Sequence, residues 1–319
     1  MASFRSVSPE RAGRAGGPDV LDKKRVAGGF RPIPTRGAMK SRKRREKVAN
    51  VLCFLLLIFF SVICIFPIWW IFRSSLMNNA ELFLWPPRFI PKHWLFSNYA
   101  RTLKFFPFWT YLKNTMTIIV PSVLAGTITA TMVGYAFARL RFRGKHFFFT
   151  LCIGSMFLPT MVTLIPLYIM WTRFFHLSNS YLPLILPYFC GGGAFNIFLI
   201  RQFICTIPRE LDEAATIDGA GYFRILVSII VPAIKSAMIV VALLLFTTMW
   251  NDLLQQIIYI NTSEKFTIAI GLSQFKGSLK SDWSAIMCAT CMSFLPGILF
   301  YLMGQKYFVE GIVMTGMKN

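Results

Sequence analysis

Six apolar segments, each of about 20 residues or more, divide this chain and limit its folds more than any other feature. A helix of that length spans roughly 30 Å of hydrocarbon, at about 1.5 Å per residue. Lipid offers no hydrogen-bond partners to an open backbone, so each segment is predicted to be helical. The predicted spans are residues 48–72, 114–138, 147–171, 181–200, 231–250 and 284–304. The chain is therefore predicted to be an all-α integral membrane protein with six transmembrane helices.

Basic residues flank these spans unevenly, and the bias predicts which side each loop faces. Residues 1–50 contain 14 Lys or Arg and 4 Asp or Glu, and loop 139–145 is also rich in Lys and Arg. Such loops stay on the cytoplasmic side. If the spans alternate, both termini and the loop 201–230 are predicted to be cytoplasmic. The formal charge of +21 is thus interpreted as a topology signal, and no nucleic-acid partner is expected.

Residues 1–46 are predicted to form a disordered basic cytoplasmic tail ahead of a six-helix transmembrane domain, residues 47–319. The tail is rich in Gly, Pro, Ser and Arg and has almost no aromatic residues, a composition typical of disorder. It could anchor to anionic lipid through its basic cluster, or it could merely set the orientation of the chain. Met39 could equally be the start, because no earlier residue indicates structure.

The predicted spans contain no Asp or Glu, and this bears on the energy source of a membrane protein. Carriers driven by ion or proton gradients usually need buried ionisable groups to bind the driving ion. The chain also lacks the G-x-x-x-x-G-K-[ST] loop that binds nucleotide phosphates. A transporter with neither device must receive its energy from a partner. The alternatives are a gradient-driven carrier or pore that acts alone, and a membrane scaffold with no transport role.

The sequence does not indicate catalysis or a metal site. The three histidines are predicted in loops or at span ends, without companions at catalytic or metal-binding spacing. Cys288 and Cys291 have C-x-x-C spacing, but no histidine or second cysteine pair accompanies them. We therefore expect no enzyme activity, no metal and no cofactor bound by this chain itself.

Two glycine patterns bear on how the spans pack. Gly126, Ala130 and Gly134 repeat at every fourth residue, which predicts close contact between helices. Three consecutive glycines, residues 191–193, lie inside the fourth predicted span. They could form a flexible segment facing a solute pathway, or a contact point against a large partner helix.

A polar stretch, residues 208–235, interrupts the last apolar segments and is predicted to begin with a short helix. Pro208 suits the first turn of a helix, where its missing N–H costs no hydrogen bond. Glu210, Asp212 and Glu213 follow at the positive end of the helix dipole. Further along, residues at helical spacing give one face with small side chains, and two glycines are predicted to end the helix. These are Leu211, Ala214, Ala215 and Asp218 on the face, and Gly219 and Gly221 at the end.

The same stretch carries a recognisable signature. Its residues are Glu213, Ala214 and Ala215, then Asp218, Gly219 and Ala220, then Ile229 and Pro232. This pattern resembles the EAA signature of permease subunits in binding-protein-dependent ABC importers, in the carbohydrate-uptake branch that includes maltose permeases. Two positions depart mildly from it, because Val231 stands where Leu is usual and Ser236 where a second Pro is common.

The resemblance implies a role for this segment. In that family the loop forms a coupling helix that sits in a groove on the ATPase subunit. It implies that Glu213 meets a basic group of the ATPase, that Ala214 and Ala215 allow close approach, and that Gly219 permits the turn out of the groove. The implied ATPase-coupling residues are Glu210, Leu211, Glu213, Ala214, Ala215, Asp218, Gly219 and Ala220.

Other segments extend the resemblance from about residue 51 to the end of the chain. They include 97–99, 134–139 and 250–252. The resemblance implies a type I ABC importer permease fold in the bacterial cytoplasmic membrane. It also implies a second, homologous permease subunit, two ATPase subunits that hold ATP and Mg, and a solute-binding protein outside the membrane. The mechanism implied is alternating access.

For the solute path, neutral polar and aromatic residues are the candidates, because sugars present apolar faces and a rim of hydroxyls. We predict Asn114, Asn196, Trp250 and Asn251 for this role. Asn196 could instead form an interhelical hydrogen bond, and Trp250 could be an aromatic anchor at the membrane interface. The implied solute is a sugar or oligosaccharide whose identity the sequence leaves open.

Overall fold

The computed structural model describes the backbone of residues 36–278 and 282–316, and the side chains of residues 47–275, 277 and 282–306. Within these ranges all regular structure is helical, and no strand occurs. The chain divides into two units after Cys64. The predicted all-α architecture is confirmed for the described part of the chain.

The first helix, α1 (Arg36–Ser75), supplies the described residues of the first unit. Its side chains from 47 to 64 are exposed on all sides of the helix. Residues 36–46, which we predicted to be disordered, are helical. Lys and Arg are good helix formers, and extending an existing helix adds one hydrogen bond for each residue fixed, which explains the longer helix. The rest of the predicted tail lies outside the described residues.

Within the described residues, four helices are long and apolar enough to cross a membrane, and two bent helix pairs meet the same test. The four are Lys47–Ser75, Phe108–Arg139, Leu182–Cys205 and Trp283–Lys306, and the pairs are Lys145–Ser155 with Thr160–Phe174 and Tyr222–Ala233 with Lys235–Trp250. Counting each bent pair as one span gives the six that the sequence predicts. As predicted, none of these segments contains Asp or Glu.

The third span is not the single helix predicted for residues 147–171. It consists of α5 (Lys145–Ser155), then α6 (Thr160–Ile169) continued by a π-helical turn (Met170–Phe174), and it is bent by 100° at the break after α5. Pro159 caps α6 with extended backbone, at φ −60° and ψ 131°. A residue before proline is pushed out of the helical region, so the helix ends ahead of Pro159.

The fifth span is also broken and begins earlier than the predicted residue 231. An apolar helix starts at α10 (Tyr222–Ile225), continues through a π-helical turn and α11 (Val231–Ala233), and meets α12 (Lys235–Trp250) at 80°. Ile234 leaves the helical region at this corner, with φ −105° and ψ 17°. The segment before the corner therefore runs in a different direction from α12.

The fourth span is interrupted by its three glycines. It comprises α7 (Leu182–Ile185), a 3-10 turn (Leu186–Cys190) and α8 (Ala194–Cys205). The glycines between the turn and α8 all have positive φ, at 100°, 61° and 101° in chain order. Only glycine adopts such dihedrals without a steric penalty, so this break depends on all three residues.

At the centre of the second unit, α4 (Phe108–Arg139) packs against α8 and α12. A Cβ atom placed on Gly126 would lie 3.3 Å from the Cα of Gly192, and one on Gly134 would lie 2.8 Å from Ile200 Cγ2. Ala130, between the two glycines, is fully buried. The predicted close packing along this face of α4 is confirmed, and the glycine break in the fourth span is one of its contacts.

Short helices in the described residues connect the spans, among them α2 (Asn79–Leu82), α3 (Ser97–Phe105), α13 (Leu254–Tyr259) and α14 (Ile268–Ser278). The last helix is α15 (Trp283–Gly316), and the Asp282 carboxylate just before it bonds to two of the short helices. Asp282 Oδ1 accepts from Asn79 Nδ2 at 3.3 Å, from Arg101 Nη2 at 3.3 Å and from the Ala285 N–H at 3.1 Å. The start of α15 is thereby joined to α2 and α3.

Candidate functional site

The predicted short helix is present as α9 (Glu210–Ile217), and its ends follow from local sequence. Three acidic residues occupy its first turn, where they complement the free N–H groups and the helix dipole. Gly219 follows the C-cap with φ 79°, and the Ala220 N–H donates to the Ala215 carbonyl at 2.9 Å. Gly219 therefore ends the helix as predicted. Gly221 does not, because it is extended (φ −75°, ψ 164°) and precedes α10.

Most of the predicted coupling residues are accessible on α9. Glu210, Leu211, Glu213, Ala214, Asp218 and Gly219 are exposed, whereas Ala215 and Ala220 are half-buried against the core. Large apolar side chains that the sequence analysis did not select surround them. Ile217 is 86% exposed, Tyr222 is 70% exposed and Phe223 is 71% exposed. An exposed patch that combines acidic, small and apolar side chains is typical of a protein-binding surface.

The last residue of α4 holds α9 in place. Arg139 Nε lies 2.6 Å from Asp212 Oδ2 in an ion pair whose side chains are only 6% and 17% exposed. The guanidinium also donates from Nη2 to the Ile207 carbonyl oxygen at 2.8 Å. One side chain therefore contacts both the segment that enters α9 and the first turn of α9 itself.

A crevice of about 160 Å³ lies beside this ion pair, lined by residues of α4 and α9. Glu213 and Arg209 reach it from α9 and its N-cap, and Tyr135 and Arg141 reach it from α4 and the loop that follows. Asp212 Oδ1 is buried there and has no hydrogen-bond partner among the residues that the structure describes. Neither Arg139 nor Asp212 was among the predicted coupling residues. The sequence shows only an arginine at the end of one apolar span and an acidic residue in a much later loop, and this does not identify the two as a pair.

Each of the four predicted solute-path residues contacts other residues of the chain. Asn114 Nδ2 donates to the carbonyls of Glu264 and Phe266, at 2.7 and 2.9 Å. Asn196 is buried and donates to the Gly192 carbonyl at 2.6 Å, so its hydrogen bond stays within the fourth span. Its Oδ1 has no hydrogen-bond partner in the described part of the chain.

The other two lie at the end of α12. Trp250 stacks on Phe246 with ring centroids 5.4 Å apart, and Asn251 is exposed and donates to the Thr247 carbonyl at 2.8 Å. The structure does not bring the four residues into one site. Their part in solute movement stays a prediction.

A larger cavity, with both polar and apolar lining residues, occurs elsewhere, at the breaks in the third and fourth spans. Its volume is about 480 Å³, within the range of small-molecule sites. Ser155 and Trp171 line it from the third span, Tyr188 and the glycine break from the fourth, and Gln255 and Tyr259 from α13. Sequence reasoning missed these residues because they come from three separate segments.

A second cleft of similar size has a different chemical character. It has a volume of about 470 Å³ and lies between α4, α12 and α15, where every lining residue is apolar. Such a surface offers no hydrogen bonds to a hydroxylated solute. Among the described residues, no three His, Cys, Asp or Glu side chains are grouped as a metal site would require.

Comparisons with known proteins find related chains. A family model described as "Binding-protein-dependent transport system inner membrane component" matches residues 122–312, more than half of this chain. The arabinooligosaccharides transport system permease protein AraQ of Bacillus subtilis is 30% identical, over 86% of this chain and 96% of AraQ. The diacetylchitobiose uptake system permease protein NgcG of Streptomyces coelicolor is 28% identical, over 88% of this chain and 91% of NgcG.

A solved structure is similar over most of its length. It is the crystal structure of a bacterial ABC transporter involved in the import of the acidic polysaccharide alginate. One of its chains matches with a TM-score of 0.71 and 26% identity, covering 83% of this chain and 98% of that chain.

Proposed function

The chain belongs to the family of binding-protein-dependent transport system inner membrane components, and from this premise we propose that it is the permease subunit of an ATP-driven importer of a sugar or oligosaccharide. The predicted family and the ABC importer permease fold are confirmed, and the chain is a multi-pass membrane protein, not an enzyme. The proposal adds the energy source, the partners and the solute class.

One observation carries the proposed coupling: α9 is an exposed acidic helix clamped to the end of a transmembrane helix. Its first turn and exposed Ala214 are accessible to a partner, while Arg139 joins Asp212 to α4. A partner that moves α9 would therefore move the end of α4 with it, through the ion pair and the Ile207 contact. Because α4 packs against α8 and α12, this displacement reaches the centre of the permease. We assign Glu213 the contact with a basic group on the ATPase.

The lack of acidic groups in the spans supports an external energy source. Asp and Glu do not occur in any of the described segments that could cross the membrane, so carboxylates that could bind a driving ion are missing from them. Two ATPase subunits binding ATP and Mg would supply the energy. Closure of the two ATPase subunits on ATP would move α9. The solute pathway would then switch from opening on one side of the membrane to opening on the other, as alternating access requires.

The solute class and the remaining partners follow from the relatives. AraQ and NgcG are named for the uptake of arabinooligosaccharides and diacetylchitobiose, and we extend sugar or oligosaccharide uptake to this chain. A second, homologous permease subunit would complete the pathway, and a solute-binding protein outside the bacterial cytoplasmic membrane would deliver the solute. Both termini and α9 would face the cytoplasm, where the ATPases are.

Uptake into proteoliposomes tests the proposal. The complete complex, with its binding protein outside and ATP inside, should take up a labelled oligosaccharide, and the permease subunits alone should not. A non-hydrolysable ATP analogue should abolish uptake. Flux through the permease subunits without ATPases would overturn the proposal in favour of an independent carrier or pore.

A further inference from the structure

The cavity at the breaks in the third and fourth spans has the chemistry of a carbohydrate site. Three aromatic side chains line it: Trp171, Tyr188 and Tyr259. Aromatic rings offer flat apolar surfaces that match the C–H face of a sugar ring, and Tyr and Trp add a polar group at the rim. The remaining polar side chains around it, Ser155 and Gln255, are neutral.

Several polar groups around the cavity have their hydrogen-bonding capacity unused. In the part of the chain that the structure describes, the Gln255 amide and the hydroxyls of Tyr188 and Tyr259 have no hydrogen-bond partner. Gln255 is exposed and Tyr188 is half-buried, whereas Tyr259 is only 6% exposed. These polar groups around one cavity can therefore form hydrogen bonds with a ligand rich in hydroxyls.

The charge around the cavity excludes one class of sugar. Its lining residues include no Lys, Arg, His, Asp or Glu. The acidic group beside it is Asp252, whose Oδ1 accepts the backbone N–H of Gln255 at 3.2 Å. An acidic glycan would lose its hydration without meeting a cation, and it would approach a carboxylate of the same sign.

The glycine break keeps one wall of this cavity in position. The Thr129 hydroxyl of α4 accepts the Gly191 N–H at 3.0 Å, and its oxygen lies 3.2 Å from the Tyr188 carbonyl oxygen. Gly192 lies against Gly126, leaving no room for side chains between the two backbones. The Tyr188 ring is therefore carried on a segment fixed to the central helix, as a specific binding site requires.

We propose that this cavity is a solute-binding site of the permease and that it accepts a neutral saccharide ring and not an acidic one. The inference rests on the proposed function and adds the site and the charge class of its solute. It also sets this chain apart from the structurally similar importer of the acidic polysaccharide alginate.

Native cysteines provide the first test, because Cys152 and Cys190 line the cavity and Cys205 lies at the other end of α8. The complete complex would retain one of these thiols at a time, with the other six cysteines replaced by serine. The rate of alkylation by N-ethylmaleimide would be measured with maltotriose, cellotriose, diacetylchitobiose and trigalacturonate. A neutral oligosaccharide that the complex imports should slow alkylation of Cys190 several-fold and leave Cys205 unchanged.

The outcomes separate this inference from the proposed function. ATP-dependent import of a neutral oligosaccharide without protection of Cys190 or Cys152 would overturn the cavity as the site and leave the importer intact. Protection by trigalacturonate would overturn the neutral class. Failure of the complete complex to import any of the four probes into proteoliposomes, with protection absent, would count against both.

Matched variants provide the second test. Tyr188→Phe and Gln255→Leu each remove polar atoms that face the cavity, and each should raise the KM for the imported neutral oligosaccharide about 3- to 10-fold, as expected for one lost hydrogen bond. Tyr168→Phe is the control, since Tyr168 packs on Tyr259 at 5.9 Å between ring centroids but does not line the cavity. Equal effects of all three variants, or a change in ATPase activity without solute, would overturn the assignment.

Discussion

Arg139 Nε and Asp212 Oδ2 lie 2.6 Å apart, so one ion pair joins the last residue of α4 to the first turn of α9. Asp212→Asn should lower the free energy of unfolding by about 2 kcal/mol, because the arginine would remain largely buried without an opposite charge. Thermal unfolding of the purified complex measures this loss. Solute-stimulated ATPase activity should fall as well.

Glu213→Gln is the matched control for that variant. Glu213 is the next residue along α9 and is exposed, so its substitution should leave thermal stability unchanged while it weakens coupling to the ATPase. If Asp212→Asn and Glu213→Gln had the same effect on stability, the ion pair would not be holding α9.

A second prediction concerns the end of α9. Gly219 has φ 79° with open space where a Cβ atom would stand, so Gly219→Ala introduces backbone strain alone. We expect a loss of about 1 kcal/mol in stability and a clear loss of ATP-driven uptake. Gly221→Ala, which also has open space but φ −75°, should be close to neutral in both assays. Normal uptake by Gly219→Ala would argue against a coupling role for this turn.

The crossing of α4 and the glycine break provides a third prediction. A Cβ atom on Gly192 would lie 3.0 Å from the Cα of Gly126, and its φ is 61°, so Gly192→Ala should destabilise the protein strongly. Gly154→Ala lies in α5 with nothing within 4 Å, and it should be neutral or slightly stabilising. The yields of folded protein in detergent and the apparent Tm values compare the two. A mild effect at Gly192 would mean that the break is free to move.

The fourth prediction concerns pH. Burial alone would raise the pKa of the Asp282 carboxyl, but the Ala285 N–H, the Ser284 hydroxyl and Arg101 outweigh it and hold this pKa below its ordinary value. A depressed carboxyl pKa stabilises the folded state at neutral pH, and this contribution is lost as pH falls through the folded-state pKa.

Asp282→Asn should therefore lower the apparent Tm at pH 7, and the difference from the unchanged protein should shrink as pH falls below about 4. Arg101→Gln should cause a smaller loss at neutral pH, because it removes only one of the groups that stabilise the carboxylate. A difference that stayed constant from pH 7 to pH 3 would show that the charge of Asp282 is not involved.

Local patterns in the sequence predicted most of what the structure shows about single helices. Four of the six apolar segments form membrane-length helices, the acidic turn and Gly219 bound α9, and the repeat of Gly126, Ala130 and Gly134 marks the packing face of α4. Each of these features depends on residues within a few turns of one another, so composition and spacing are sufficient to reveal them.

The features that were missed depend on contacts between distant segments. The corner at Ile234 lies between Pro232 and Lys235, and both residues are equally compatible with the end of a single span that begins at residue 231. Arg139 and Asp212 are far apart in the chain, and each could pair with several other charges. The cavity between Trp171, Tyr188 and Tyr259 exists only when the third span, the fourth span and α13 come together.

The all-round exposure of α1 between residues 47 and 64 has a consequence for how this region can change over time. A helix that is apolar on every face has no preferred rotation about its own axis in lipid. The order of Leu, Ile, Val and Phe along it therefore has little effect on its insertion. Apolar residues in this stretch can replace one another during evolution, provided that the length of the helix is kept. A single charge at its midpoint would cost about 3 kcal/mol and end that freedom.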